Sequence, residues 1–298
     1  MIIVDILQKN ATYICLLHKK KLMPSIDYHT VVETVVELFR KAVTEIGDDV
    51  ILALKKAYEN EDNELAKNNL KMILENIEVA RKSKIPVCQD TGIPVVFVEL
   101  GRELHLDFDL KAAIVEGVRK ATEEVPLRPN VVHPITRENT MDNVGLHVPH
   151  LNVDITDGDT LKLTVLPKGA GSENVSALKM LPPTKPNKIT RFVIETVKEA
   201  GGMPCPPTIV GVGIGSTFDG AAKLAKKALL RENILEMNEF ELELLEKINS
   251  LGIGPMGLGG KTTSLAVLVE MGHCHLASLP VAVNIQCWAH RRASAVLR

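Results

Sequence analysis

Aromatic residues are scarce in this sequence, at 3% of 298, with one tryptophan. That leaves little with which to build stacking platforms for nucleic-acid bases. Charge of one sign is also missing. The formal net charge is −2, so no electrostatic case exists for nucleic acid or an anionic membrane as partner. No apolar run approaches the ~20 residues of a membrane-spanning helix. Cysteines number five (Cys15, Cys88, Cys205, Cys274 and Cys287), an odd count, widely spread, with no C-x-x-C. This argues against a disulfide framework and a zinc finger, and for a reducing, cytoplasmic setting. What is abundant is apolar residues, 45% of the chain, enough core for one large domain or two modest ones.

The first residues are apolar and then turn basic at His18-Lys19-Lys20-Lys21, the reverse of a signal peptide. Met23 opens a helical pattern with Ser25 as a cap-like residue. The expectation is that residues 1–22 are a non-native or disordered extension and that the working chain is 23–298. Within it, residues 25–84 read as helical. Val31, Val32, Val35, Val36, Leu38 and Phe39 fall at three- and four-residue spacing. A second helix follows Gly47-Asp48-Asp49, and a third runs from about Glu61 to Arg81 with Leu65, Leu70, Ile73, Leu74 and Ile77 inward. No chemistry is evident there.

From residue 85 onward strands and helices mix, so the fold class expected is α/β, around one or two sheets. Pro94–Leu100, Thr208–Val212, Leu265–Glu270 and Val281–Ile285 read as strands. Leu110–Val125, Ile189–Ala200, Gly220–Leu230 and Asn238–Leu251 read as helices. Leu151–Ile155 and Leu161–Leu166, joined by Thr156-Asp157-Gly158-Asp159-Thr160, predict a β-hairpin.

The chemistry lies in the loops. Val87-Cys88-Gln89-Asp90-Thr91-Gly92 sets a thiol, a carboxamide and a carboxylate side by side. A thiolate can hold a soft metal, a carboxylate can move a proton, and an amide can orient an oxygen. Taken alone, the stretch reads as readily as a buried cysteine at a turn, with Asp90 bonding its own backbone. Arg128 stands between Pro126 and Pro129, which suits a carboxylate clamp, because a guanidinium binds a carboxylate through two parallel bonds. Pro167-Lys168-Gly169-Ala170-Gly171-Ser172-Glu173-Asn174 offers backbone N–H groups as an anion cradle. Cys205 is held among Pro204, Pro206 and Pro207. Two nucleotide motifs fail. The third glycine after Gly211-x-Gly213 is replaced by Ser216, and the glycine that should open a phosphate loop ending in Gly260-Lys261-Thr262 is Pro255.

Together the loops Cys88-Gln89-Asp90-Thr91-Gly92, Gly169-Ala170-Gly171-Ser172-Glu173-Asn174, Gly254-Pro255-Met256-Gly257-Leu258-Gly259-Gly260, and His275-Leu276-Ala277-Ser278-Leu279-Pro280 with Gln286-Cys287 resemble the class I, iron–sulfur fumarases and L-tartrate dehydratases. The resemblance runs from about Ser25 to the C-terminus, and its length matches the alpha subunit of the two-subunit form. It implies a 4Fe–4S cluster with one open iron, ligated by Cys88, Cys205 and Cys287, with Cys274 spare and no role assigned to Lys261. It implies Asp90 and His275 as catalytic residues and Gln89, Arg128 and Gly171 as substrate-binding ones. Further implications are a small dicarboxylate substrate, a beta subunit carrying the base and more cationic residues, an alpha–alpha dimer in an alpha2-beta2 assembly, and poor turnover by this chain alone. Fumarate hydration in the tricarboxylic acid cycle is the leading activity. L-tartrate dehydration and a non-catalytic iron–sulfur scaffold are the alternatives. Asp90 separates the last, since a scaffold needs Cys88 but not its acidic neighbour.

Overall fold

The computed structural model describes residues 26–185 and 187–298. The extension 1–22, the start at Met23 and the cap at Ser25 lie outside the described residues. Helix α1 (Tyr28–Thr44) is capped instead by Asp27, whose carboxylate accepts from Thr30 N at 2.7 Å. Helices α2 (Asp48–Asn60) and α3 (Glu64–Ser83) follow. The cap of α3 is Asn63, so the helix begins later than the apolar pattern predicts. Leu65 is correspondingly more than half exposed, because the buried stripe is Ala66, Leu70, Ile73 and Ile77.

The remaining elements are β1 (Val95–Gly101), α4 (Leu110–Glu124), β2 (His150–Thr156), β3 (Leu161–Val165), the single turn α5 (Ala170–Glu173), β4 (Ala177–Leu181), α6 (Lys188–Ala200), β5 (Thr208–Gly215), α7 (Phe218–Ala228), α8 (Glu239–Asn249), β6 (Ser264–Gly272), β7 (Leu279–Gln286) and β8 (Ala293–Leu297). The fold is α/β, with helices first and then two four-stranded mixed sheets ordered β2-β1-β3-β8 and β4-β7-β5-β6.

The hairpin expected between β2 and β3 does not form. β1 lies between them, parallel to β2 and antiparallel to β3. The turn that joins them wraps around the end of β1. Gly101 N donates to Thr160 O at 2.8 Å, Arg102 N to Thr156 O at 2.9 Å and Glu103 N to Gly158 O at 2.9 Å. Turn residues at that spacing report a reversal of direction, and the reversal here spans an intervening strand. Strands β4 and β8 carry no strong alternation and went without a sequence signal.

Helices α1 and α4 cover one face of the first sheet, burying Val96, Val98, Leu161, Leu163 and Val165 among Val31, Val35, Ile114 and Val118. The second sheet is covered on both faces. Residues Val210, Val212, Val267, Val283 and Ile285 meet α6 and α8; on the other face Ile209, Leu265 and Leu268 meet α2 and α3. Helix α7 lies on that same face, against Gly211 and Gly213. A methyl group on either glycine would stand 2.2 or 2.0 Å from the Ala225 or Ala221 carbonyl oxygen. These two glycines therefore admit a helix rather than a dinucleotide.

Candidate active site

Cys88 lies on a loop pinned at its start by Val87 N to Val43 O at 2.9 Å and Asn76 Nδ2 to Val87 O at 2.8 Å. A bridge between Ile93 and Lys168 pins its end. Between these points, Asp90 is held from several sides. Its Oδ1 accepts from Gly92 N at 3.0 Å and from Asn130 Nδ2 at 3.3 Å; its Oδ2 accepts from Ala170 N at 2.8 Å. Asp90 thus does bond its own backbone, as an ordinary turn residue does, and it also joins this loop to the two others beside it.

The Arg128 loop docks on the same stretch. Thr91 Oγ1 accepts from Arg128 N at 2.9 Å. Asn143, 1% exposed, accepts from Asn130 N at 2.7 Å and donates to Arg128 O at 3.1 Å. The backbone of the loop is fixed while the Arg128 side chain is exposed, and among the described residues it forms no ion pair. Gln89 is exposed on the same loop as Cys88.

Cys205 follows α6 on a left-handed backbone, φ 54°. Its loop is held by Cys205 N to Gly202 O at 3.2 Å and by Met256 N to Pro206 O at 2.7 Å, so the glycine-rich stretch 254–257 serves as its buttress. Lys261, at the end of that stretch, is tied to the corner between α2 and α3. Its N–H donates to Glu61 Oε2 at 2.7 Å, and its Nζ donates to Asn60 O at 3.0 Å and pairs with Asp62. Lys261 is a strut and not a phosphate ligand.

Cys287 comes directly after β7. Trp288 N donates to Cys205 O at 3.4 Å, which joins the second and third cysteine loops, and Cys88 and Cys287 pack on one apolar cluster with Trp288. Gly171 abuts the Cys205 loop, since a methyl group there would lie 3.3 Å from Met203 O. Burial pushes the Cys205 thiol up, and so do the negative charges of Cys287 and Cys88 nearby. Burial pushes Cys287 up as well, against the pull of the Arg291 and Lys168 charges. The three thiols are thus near enough to sense one another.

Among the described residues no three His, Cys, Asp or Glu side chains converge as the ligands of one ion would. An iron–sulfur cluster distributes its thiolates over separate irons, so three soft donors on three braced loops, with buried cations beside them, suit such a group better than a single ion.

His275 is not with the others. It lies in the loop between β6 and β7, with Nδ1 accepting from Ala277 N at 3.1 Å. Ser216 N, just beyond the last residue of β5, donates to His273 O in that loop. Cys205 precedes β5 and Cys287 follows the antiparallel β7, so His275 and the thiols occupy opposite ends of the sheet. Cys274 shares the far end and is exposed.

Sequence reading missed several groups at the site. Lys168 is 1% exposed, and its Nζ donates to Ser172 Oγ at 2.7 Å and Ile285 O at 2.8 Å. Burial lowers it to about 8. Glu173 faces it at 3.4 Å and also pairs with Lys226. Burial would raise the Glu173 carboxyl, but the Lys226 and Lys168 charges outweigh this and hold it at about 2. Arg291 is buried, with Nη1 bonded to the Asp90 carbonyl. The run Lys168–Glu173 showed its glycines and hid its ion pair; Arg291 had no signal beyond a basic pair after Trp288. Among the described residues, no helix is long and apolar enough to cross a membrane.

A family model described as fumarate hydratase (Fumerase) matches residues 32–296. A Methanocaldococcus jannaschii protein provisionally named L(+)-tartrate dehydratase subunit alpha is 54% identical over 271 residues, covering 88% of this chain and 95% of its own. The L(+)-tartrate dehydratase subunit alpha of Escherichia coli strain UTI89 is 35% identical, covering 84% of this chain and 85% of its own, and that of strain K12 is 34% identical over the same shares. On a match of that extent, with relatives named as alpha subunits, the chain belongs to the fumarate hydratase (Fumerase) family.

Proposed function

We propose that this chain is the alpha subunit of an iron–sulfur hydro-lyase that interconverts fumarate and malate, with a beta subunit completing the site. The observation that carries the reading is the meeting of the Cys88, Cys205 and Cys287 loops, 199 residues apart at their extremes, beside a carboxylate held in place by Gly92 N, Asn130 and Ala170 N. Cys88, Cys205 and Cys287 would hold a 4Fe–4S cluster. When bound, such a group supplies a Lewis-acidic iron that no thiolate of this chain occupies, suited to a substrate hydroxyl and carboxylate.

The chain's own residues do the rest. Arg128, exposed and without a carboxylate partner among the described residues, takes one substrate carboxylate in a bidentate grip. Gln89 orients a substrate oxygen, and Gly171 leaves room where a side chain would crowd the Cys205 loop. Asp90 holds or moves the proton at the hydroxyl that leaves or enters. This set lacks an evident base for the C–H bond, which points to the beta subunit, and this chain alone is expected to turn over poorly. His275 joins the reading only from a second copy, in an alpha–alpha dimer within an alpha2-beta2 assembly. A reducing, cytoplasmic setting fits the free thiols.

L-tartrate dehydration is the second reading. What favours it is the naming of relatives at 54% and 35% identity as tartrate dehydratase subunits. Iron and acid-labile sulfide on anaerobically prepared protein, followed by fumarate and L-tartrate assays of the complex with its beta subunit, test both. Four irons per chain with a higher kcat/KM for fumarate supports the first reading. A higher value for tartrate replaces it with the second. Absence of a cluster after reconstitution removes both.

A further inference from the structure

Arg291 is among the largest fully buried side chains, at 1% exposure. A guanidinium carries its charge at any ordinary pH, and a buried charge is costly unless an opposite charge meets it. Arg292, its neighbour, follows that rule, reaching Asp49 Oδ2 at 2.6 Å. Arg291 does not. Among the described residues it forms no ion pair; Nη1 donates only to the Asp90 carbonyl, and Nε is buried without a partner. Its Nη2 lies where Gly169 leaves space. A methyl group on that glycine would stand 3.0 Å from Nη2 and 3.2 Å from Asp90 Oδ2. The guanidinium is thus wedged between the Cys88–Asp90 loop and the Gly169 loop, one helical turn's worth of sequence after Cys287. Two buried cations, Arg291 and Lys168, act on Cys287. Lys168 already has Glu173.

We propose that Arg291 is the buried counter-charge of the anionic iron–sulfur group held by Cys88, Cys205 and Cys287, left without an ion pair among the described residues because the anion it serves is the cluster itself. It acts as a positioning residue, holding the Asp90 carbonyl with one nitrogen while its charge bears on Cys287. The inference rests on the cluster reading above and names a residue that the resemblance did not.

The same charge is a burden without the cluster and an asset with it. The full chain is prepared metal-free and cluster-loaded, as wild type, Arg291→Met and Arg291→Lys. Thermal unfolding is followed in both forms, and iron loss to a chelator is timed in the loaded one. Metal-free Arg291→Met is expected to unfold at the same temperature as wild type or higher, since a long unbranched apolar chain removes an unmet charge. Loaded Arg291→Met is expected to lose iron at least severalfold faster than wild type, and Arg291→Lys to recover most of that loss. A metal-free Arg291→Met that unfolds earlier, or fails to fold, overturns the proposal, because the arginine is then an ordinary structural brace. Iron retention unchanged in Arg291→Met overturns it too, while leaving the cluster reading in place. A wild-type chain that takes up no iron and sulfide removes both.

Discussion

The backbone N–H of Ala170 donates to Asp90 Oδ2 at 2.8 Å across 80 residues of sequence. With Gly92 N and Asn130 Nδ2 on Oδ1, both carboxylate oxygens face donors. Asp90→Asn must turn an amide NH2 toward one of those N–H groups, losing an acceptor and opposing two donors. Ala170 is exposed and Asp90 half-buried, so the expected stability loss is about 1 kcal/mol or less, the net worth of an ordinary hydrogen bond. Iron content should stay at the wild-type level, because Cys88 is untouched. Turnover of the complex should fall about 10²–10⁴-fold, the usual worth of a positioned acid or base. Unchanged turnover would take Asp90 out of the mechanism.

Four cysteines lie within the described residues, and only three of them share a neighbourhood. Cys274 is exposed at the far end of the second sheet, although it neighbours His275 in sequence. Serine at Cys88, Cys205 or Cys287 should each abolish stable iron and sulfide incorporation after anaerobic reconstitution. Serine at Cys274 should leave both at the wild-type level. Loss of iron from the Cys274 variant, with Cys287→Ser retaining it, would reassign the third ligand.

Glu173 supplies a pH signature. Its folded-state value of about 2 lies below the ordinary 4.5, because Lys226 and Lys168 stabilise the carboxylate against the burial that opposes it. A depressed carboxyl contributes stability that is fully present above pH 4.5 and is lost as pH falls toward 2. The side chain is 41% exposed, so solvent screening keeps the contribution to about 1 kcal/mol. Glu173→Gln should therefore unfold earlier than wild type at pH 7, and the gap should narrow on going from pH 5 to pH 3. Thermal unfolding across that range checks it. A gap that does not change with pH would mean that Glu173 acts through Asn284, whose Nδ2 it accepts at 2.8 Å, and not through its charge.

How much of this could be read beforehand differs by kind of feature. The loops of Cys88 and Cys205 were legible because each carries its own punctuation, with Pro86 and Gly92 around Cys88 and three prolines around Cys205, whereas Gln286-Cys287-Trp288 carries none. Helices α1 to α3 were legible from their apolar stripes. Strand pairing was not. The turn at Thr156–Thr160 marks a reversal but says nothing of β1 lying between the strands it joins. Arg291 was invisible for a similar reason: burial of a cation is a tertiary fact, and in sequence it is one of two adjacent arginines. Motif order placed His275 with the site, whereas the topology puts it at the other end of β7.

That separation makes the sharpest prediction about assembly. His275 precedes β7 and Cys287 follows it; eight residues at about 3.3 Å each hold the two roughly 25 Å apart. No side chain bridges that distance, so if His275 serves a site it serves that of a neighbouring copy. His275→Ala and Asp90→Asn chains, each impaired alone, would then complement one another. In a two-fold dimer carrying one chain of each kind, one site combines both lesions and the other is intact. Random mixing gives such dimers half the time, so about a quarter of wild-type activity should return. Subunits unfolded and reassociated together, assayed against each variant reassociated alone, provide the measurement. No recovery, with mixed dimers shown to form, would mean that His275 makes no contribution across the interface, and the resemblance would have carried its role to a position that does not perform it.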